Sequence, residues 1–84
     1  MQAPTMCIQV RFFAGLRERL GMSECVLRVP ERTTVAEAWA LAVPDQALPD
    51  NVLAACNMEY VQTDRRLNDG DEVAFFPPVT GGRR

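Results

Sequence analysis

The adjacent glycines Gly81 and Gly82 are the residues of this chain best suited to act as a reactant. Glycine has no Cβ, so a Gly-Gly end can enter a channel too narrow for any other residue, and a terminal glycine carboxylate can be approached from every side. The residues before them hold that end away from a core. Pro77 and Pro78 fix φ, remove two backbone donors and exclude a helix, while Val79 and Thr80 offer little to pack back on the body. From Pro77 to Gly82, at about 3.3 Å per residue, such a tail reaches roughly 20 Å. The chemistry on offer is acyl transfer. A carboxylate resists attack through its charge and resonance, so it must first be activated as an acyl-adenylate, and a partner that uses ATP must supply that step.

Other chemistry is poorly provided for. All nine basic residues are arginine and there is no histidine, so the chain lacks a base poised near neutral pH and a Schiff-base nucleophile. Cys7, Cys25 and Cys56 are odd in number and widely spaced, which argues against a disulfide framework, a zinc site or an iron–sulfur cluster. With no lysine or histidine to lower a thiol pKa, they read as small buried hydrophobes rather than persulfide carriers. Asp69, Asp71 and Glu72 suggest a metal or acid–base cluster, but Asn68-Asp69-Gly70-Asp71 is sufficiently explained as a turn, since those residue types tolerate positive φ and bond their own backbone. Asp64, Arg65 and Arg66 read as a solvated loop.

The elements that must position the tail follow from periodicity. Eighty-four residues make one domain with one core. Residues 1–5 read as a loose leader without the form of a signal peptide, residues 6–76 as the folded domain and residues 77–84 as an extended tail. Residues 7–13 alternate, with Ile8, Val10 and Phe12 on one face and Gln9, Arg11 and Phe13 on the other. Residues 14–20 switch to helical spacing through Leu16 and Leu20, and Gly21 follows as the stop. Residues 23–29 alternate again and suit antiparallel pairing with the first strand. Thr34 and Glu37 form a capping box, opening a helix whose stripe is Val35, Ala38, Trp39 and Ala42 and which Pro44 ends. Leu48 anchors the polar connection that follows. Residues 52–56 and 58–61 read as short strands around Asn57, and residues 72–76 as the last strand, Val73 and Phe75 inward, Ala74 and Phe76 outward. The result is an α+β domain with a mixed sheet packed against the second helix.

Phe13 and Phe76 then stand on the solvent side. They could simply cover a sheet face, but partner contact is favoured, because so small a domain has no second helix layer to place over them. The net charge of −2 is spread along the chain and predicts no nucleic-acid binding, and no apolar run approaches the length of a membrane span. Removing Arg83 and Arg84 takes the charge to −4, an acidic surface suited to partners with basic docking sites. The unpaired cysteines fit a reducing cytoplasm.

The string DGDEVAFFPPVTGG, with CIQVRFFAGLRERLG near the start and VLAACNMEYV in the middle, resembles the small sulfur-carrier subunit of molybdopterin synthase. The likeness spans residues 6–82. It implies a ubiquitin-like β-grasp, with the first and last strands parallel at the centre of the sheet. It implies a carrier that is not catalytic alone and binds no cofactor itself. A ubiquitin-activating-like enzyme adenylates Gly82 with ATP, and sulfur from a persulfide donor displaces AMP. The thiocarboxylate tail, Pro77, Pro78, Val79, Thr80, Gly81 and Gly82, then enters the large subunit of a heterotetramer and gives its sulfur to a pterin precursor for the dithiolene. The resemblance also places Phe13 and Phe76, and with them Tyr60, on the surface that docks the large subunit. Two other readings stay open: a sulfur carrier for thiamine or thiolated nucleoside synthesis, and a ubiquitin-like modifier of target lysines.

Arg83-Arg84 depart from the family pattern, which stops at the second glycine. With an arginine attached, the Gly82 carbonyl is an amide and cannot be adenylated. Either a protease removes the two arginines, or they are additions or the mark of an inactive paralogue.

Overall fold

The computed structural model describes residues 4–77. Among them, seven elements follow in the order β1 (Thr5–Phe12), α1 (Gly15–Leu20), β2 (Glu24–Pro30), α2 (Val35–Ala42), β3 (Leu53–Cys56), β4 (Glu59–Val61) and β5 (Glu72–Phe76). The strands form one sheet in the order β2-β1-β5-β3-β4. The central pair β1 and β5 is parallel, and the β1–β2, β3–β5 and β3–β4 pairs are antiparallel. This is the expected α+β architecture, a mixed sheet with the β-grasp strand order.

β1 starts at Thr5, one residue earlier than the reading of 1–5 as leader, because Thr5 pairs with Pro30 and the Glu31 amide donates to the Pro4 carbonyl. Its even-numbered residues Met6, Ile8, Val10 and Phe12 are buried. Phe13 lies one residue past the end of the strand, yet its amide donates to the Phe75 carbonyl at 3.1 Å, so it keeps the outward phase of the ladder. α1 buries Leu16 and ends at Gly21, whose φ of 73° is the left-handed conformation that glycine adopts without a Cβ clash. At α2 the Glu37 amide donates to Thr34 Oγ1 at 3.2 Å, and the Thr34 amide donates to Glu37 Oε1 at 2.9 Å, which satisfies two otherwise orphaned donors.

The core lies between α2 and one face of the sheet. Phe12, Trp39 and Phe75 meet at its centre, with Trp39 edge-on to Phe75 at 5.1 Å and to Phe12 at 5.8 Å, and Phe12 stacked with Phe75 at 5.9 Å. Trp39 Nε1–H donates to the Gln46 carbonyl at 3.0 Å, pinning the connection in which Leu48 packs on the core.

The acidic turn before β5 is a structural knot. Asp71 is buried, and its carboxylate accepts from the Asn68 amide at 2.8 Å, from Asn57 Nδ2 at 3.0 Å and from the Cys56 thiol at 3.4 Å. Asp69 Oδ1 accepts from the Cys7 amide at 2.8 Å. Burial pushes the Asp71 carboxyl up, but these donors and the charge of Arg65 outweigh it and hold it below the ordinary value of 3.8. A carboxyl whose native pKa is depressed stabilises the fold above its unfolded pKa, and that contribution drains away as pH falls through the native value. Asp71→Asn is therefore expected to cost about 1–3 kcal/mol at pH 7, and progressively less towards pH 3. Urea unfolding of both proteins across that range measures the gap; a gap independent of pH rules out the carboxylate as its source.

Candidate functional site

The face of the sheet opposite α2 carries Phe13, Tyr60 and Phe76, the residues for which partner contact is expected. Phe13 and Phe76 stack with ring centroids 4.9 Å apart and planes within 9°, and Tyr60 approaches Phe76 at 6.2 Å. The strand registers explain why residues so distant in sequence meet. Phe76 pairs with Leu53 at one edge of the face, while the next row runs Glu24, Arg11, Ala74, Ala55 and Tyr60 across all five strands. Tyr60 is 75% exposed.

Arg11, which the sequence reading used only to set the phase of β1, organises one side of this face. Its Nη1 lies 3.4 Å from Glu72 Oε2 and its Nε 3.7 Å from Glu24 Oε1. Its guanidinium sits 5.3 Å from the centroid of the Phe13 ring. Arg11, Phe13, Phe76 and Tyr60 thus form a continuous row of contacts over the sheet. Alternation along residues 7–13 already placed Arg11 beside Phe13 on the outer face; its pairing with Glu24 and Glu72 needed the strand order.

Met58 is the second residue the sequence reading missed. The β3–β4 connection has Asn57 at φ 51° and Met58 at φ 73°, the geometry of a tight hairpin turn. Glycine is the usual occupant of the second position, and a left-handed methionine there costs about 1–2 kcal/mol. The break around Asn57 was legible, but the absence of glycine concealed that Met58 belongs to the turn and not to the strand, and with it the strain.

The cysteines separate by burial. Cys56 is buried, and burial, reinforced by its hydrogen bond to Asp71, pushes its thiol up to about 11. Burial also raises the half-buried Cys25. Cys7 corrects the expectation of three buried hydrophobes: it is exposed, because the alternation of β1 turns its odd-numbered residues to the open face. Among the described residues no three His, Cys, Asp or Glu side chains gather as a metal site, and no helix is long and apolar enough to cross a membrane.

Pro77 is half-buried directly after β5. Pro78, Val79, Thr80, Gly81 and Gly82, with Arg83 and Arg84, lie outside the described residues. The structure therefore brings Phe13, Tyr60 and Phe76 together and sets the start of the tail beside them.

The profile of the ThiS family matches residues 10–82, which takes in the end of β1, every later element and both glycines. The chain belongs to the ThiS family. It is 44% identical to the molybdopterin synthase sulfur carrier subunit of Escherichia coli (strain K12), an alignment that covers 89% of this chain and 99% of that protein. It is 32% identical to small archaeal modifier protein 3 of Haloferax volcanii, over 92% of this chain and all of that one. Among solved structures, SAMP1 from Haloferax volcanii superposes with a TM-score of 0.74 at 30% identity, covering 90% of this chain and 99% of SAMP1. This ThiS-family chain thus has the ubiquitin-like β-grasp, and molybdopterin synthase sulfur carriers and small archaeal modifiers are among its relatives.

Proposed function

We propose that this chain is the sulfur-carrier subunit of molybdopterin synthase and that Gly82 carries the sulfur. The observation that carries the reading is the continuity of β5 with the tail: Phe76 belongs to the open aromatic face, and Pro77 begins the tail at the next residue. A partner seated on that face receives the tail without any rearrangement of the domain. The 44% identity to a sulfur carrier subunit supports this choice among the roles of the family.

The chemistry runs through backbone atoms alone. Hydrolysis of the Gly82–Arg83 peptide bond frees the glycine carboxylate. An activating enzyme of the ubiquitin-activating type transfers AMP from ATP to that carboxylate and releases pyrophosphate. The outer sulfur of a persulfide donor attacks the acyl carbon, a carbon–sulfur bond forms and AMP leaves. A thiol then reduces the sulfur–sulfur bond, and a thiocarboxylate remains. In the large subunit the thiocarboxylate sulfur forms a carbon–sulfur bond to a pterin precursor, water hydrolyses the acyl carbon–sulfur bond and returns the Gly82 carboxylate, and two such transfers complete one dithiolene. This chain binds no cofactor of its own in that cycle, is consumed and recharged in the cytoplasm, and leaves acid–base chemistry to its partners, in keeping with its lack of lysine and histidine.

Intact-mass analysis of the natively purified protein, after incubation with activating enzyme, ATP and a sulfur source, tests this. The expected species ends at Gly82 with one oxygen replaced by sulfur. If a control chain ending at Gly82 is converted and the native protein stays at Arg84, the trimming step is wrong; if the control is not converted either, the carrier chemistry is wrong. A modifier role, raised by the similarity to small archaeal modifier protein 3, predicts instead Gly-Gly remnants on lysines of other proteins.

A further inference from the structure

The sheet order β2-β1-β5-β3-β4 leaves β2 at an edge, with β1 on one side and no partner strand on the other. The ladder to β1 fixes its hydrogen-bonding phase: the Phe12 amide donates to the Ser23 carbonyl, and the Glu31 amide to the Pro4 carbonyl. Odd-numbered residues of β2 therefore turn their backbone groups towards β1, and Glu24, Val26 and Arg28 turn theirs outwards. Among the described residues, no backbone group bonds these outward N–H and C=O groups.

The edge is open on both faces. Val26 is 72% exposed on the outer face, and Cys25 and Leu27 are only half-buried on the inner one, so α2 does not reach over them. Folds commonly blunt such an edge with proline, a bulge or lysine. Here the one proline of the strand is Pro30, at its end, and the two charges on the outer face are opposite in sign.

Glu24 and Arg28 flank Val26 symmetrically. When a second β2 pairs antiparallel about a two-fold axis at Val26, Val26 meets Val26 of the second copy and Glu24 meets Arg28 in both directions. Each of these pairs has outward backbone groups on both strands, so each exchanges hydrogen bonds both ways. On the inner face Cys25 meets Leu27 and continues the apolar surface across the axis. Pro30 falls beyond the last pair, where a missing N–H costs nothing. Other registers fail: an axis at Glu24 or Arg28 sets that charge against itself, and one at Cys25 or Leu27 sets a charge against Val26. Arg28 has no carboxylate partner among the described residues, its Nη1 lying 3.5 Å from Thr5 Oγ1. Glu24 has Arg11 on its β1 side at 3.7 Å, so in the pair it lies between two cations.

We infer that β2 is a self-association edge, at which two copies of this chain join antiparallel about Val26 into one continuous sheet. The axis runs perpendicular to the sheet, so both open faces lie on the same side. β1 separates β2 from β5, which keeps Phe76 and the start of the tail out of the strand contact in both copies. The contact goes beyond the carrier reading and does not depend on it. A pairing this short is smaller than the interface of a stable dimer, so the expected Kd is about 0.1–1 mM.

Sedimentation equilibrium and amide hydrogen exchange of the full chain, with a thiol reductant and from about 10 μM to about 2 mM, test the edge. The average mass is expected to rise towards that of a dimer, and the Glu24, Val26 and Arg28 amides to gain protection as it does. Glu24→Arg and Arg28→Glu each set like charges together at two symmetry-related pairs and are expected to weaken self-association by about tenfold or more. Mixed in equal amounts, the two variants complement each other and are expected to associate at least as tightly as wild type. Thermal unfolding of each separates loss of fold from loss of contact, and the wild-type measurements decide the edge without either variant. A wild-type chain that stays monomeric to about 2 mM, or a dimer in which those three amides gain no protection, overturns the edge contact. Self-association of both variants within about twofold of wild type, or a mixture no tighter than each variant alone, overturns the register.

Discussion

A chain ending at Thr80, without Gly81 and Gly82, is expected to fold like the full-length protein and to transfer no sulfur at all. The two halves of this result rest on different parts of the molecule. The buried apolar residues of the described core all lie between Met6 and Phe75, so the truncation removes none of them. A truncation that leaves the described core whole is expected to change stability by no more than about 0.5 kcal/mol, which shifts Tm by a few degrees at most in a domain of this size. Sulfur transfer, by contrast, depends on an unhindered acyl carbon. A terminal threonine puts a β-branched side chain next to that carbon and shortens the reach of the tail by two residues, about 7 Å. Thiocarboxylate formation should fall to background, as read by intact mass, and sulfur transfer to the large subunit should fall with it. Retained transfer by the truncated chain would instead locate the sulfur on a side chain, for which Cys7, the exposed thiol, is the candidate. Cys7→Ser in the truncated chain then decides the matter.

Alanine at two adjacent phenylalanines should have opposite consequences. Phe75 is fully buried between Phe12 and Trp39, and its removal is expected to cost about 3–5 kcal/mol through lost burial and the cavity left behind. Small domains are stable by about 5–15 kcal/mol, so Phe75→Ala should be close to unfolded at 37 °C, with Tm lowered by about 15 °C or more. Phe76 points to the other face and is only partly covered, by Phe13 and Tyr60. Phe76→Ala is expected to cost about 1 kcal/mol in stability and to weaken binding of the large subunit by at least about tenfold, because aromatic anchors dominate such surfaces. Thermal unfolding and binding titration of both variants measure the contrast. If Phe76→Ala loses stability like Phe75→Ala and binds normally, the open face is a core surface and the docking assignment fails.

Much of this was legible in the chain itself. Alternation in residues 7–13 and 72–76 assigned Phe12 and Phe75 to the core and Phe13 and Phe76 to the outside, because side chains of a strand alternate whatever the strand pairs with. The capping box at Thr34 and Glu37, and Gly21 as a stop, were readable because the backbone groups they satisfy lie within a few residues. The Gly81-Gly82 end suggests acyl chemistry through local stereochemistry alone, a reading that lies outside the described residues.

What local signals could not carry is any relation between strands. That β1 and β5 run side by side, bringing Phe13 onto Phe76, came at the sequence level only as an implication of the family resemblance, since no spacing along one strand specifies its neighbour. The pairing of Arg11 with Glu24 and Glu72, and the junction of Asp71 with Asn57 and Cys56, depend on the same registers. The strain at Met58 was hidden for a different reason: a positive φ is imposed there by hairpin closure, against the preference of the residue. Residue types determined which groups could react and which faces would be apolar; the tertiary structure alone decided which of those groups share a surface, because contacts across a sheet are set by pairing over tens of residues and not by the neighbours along the chain.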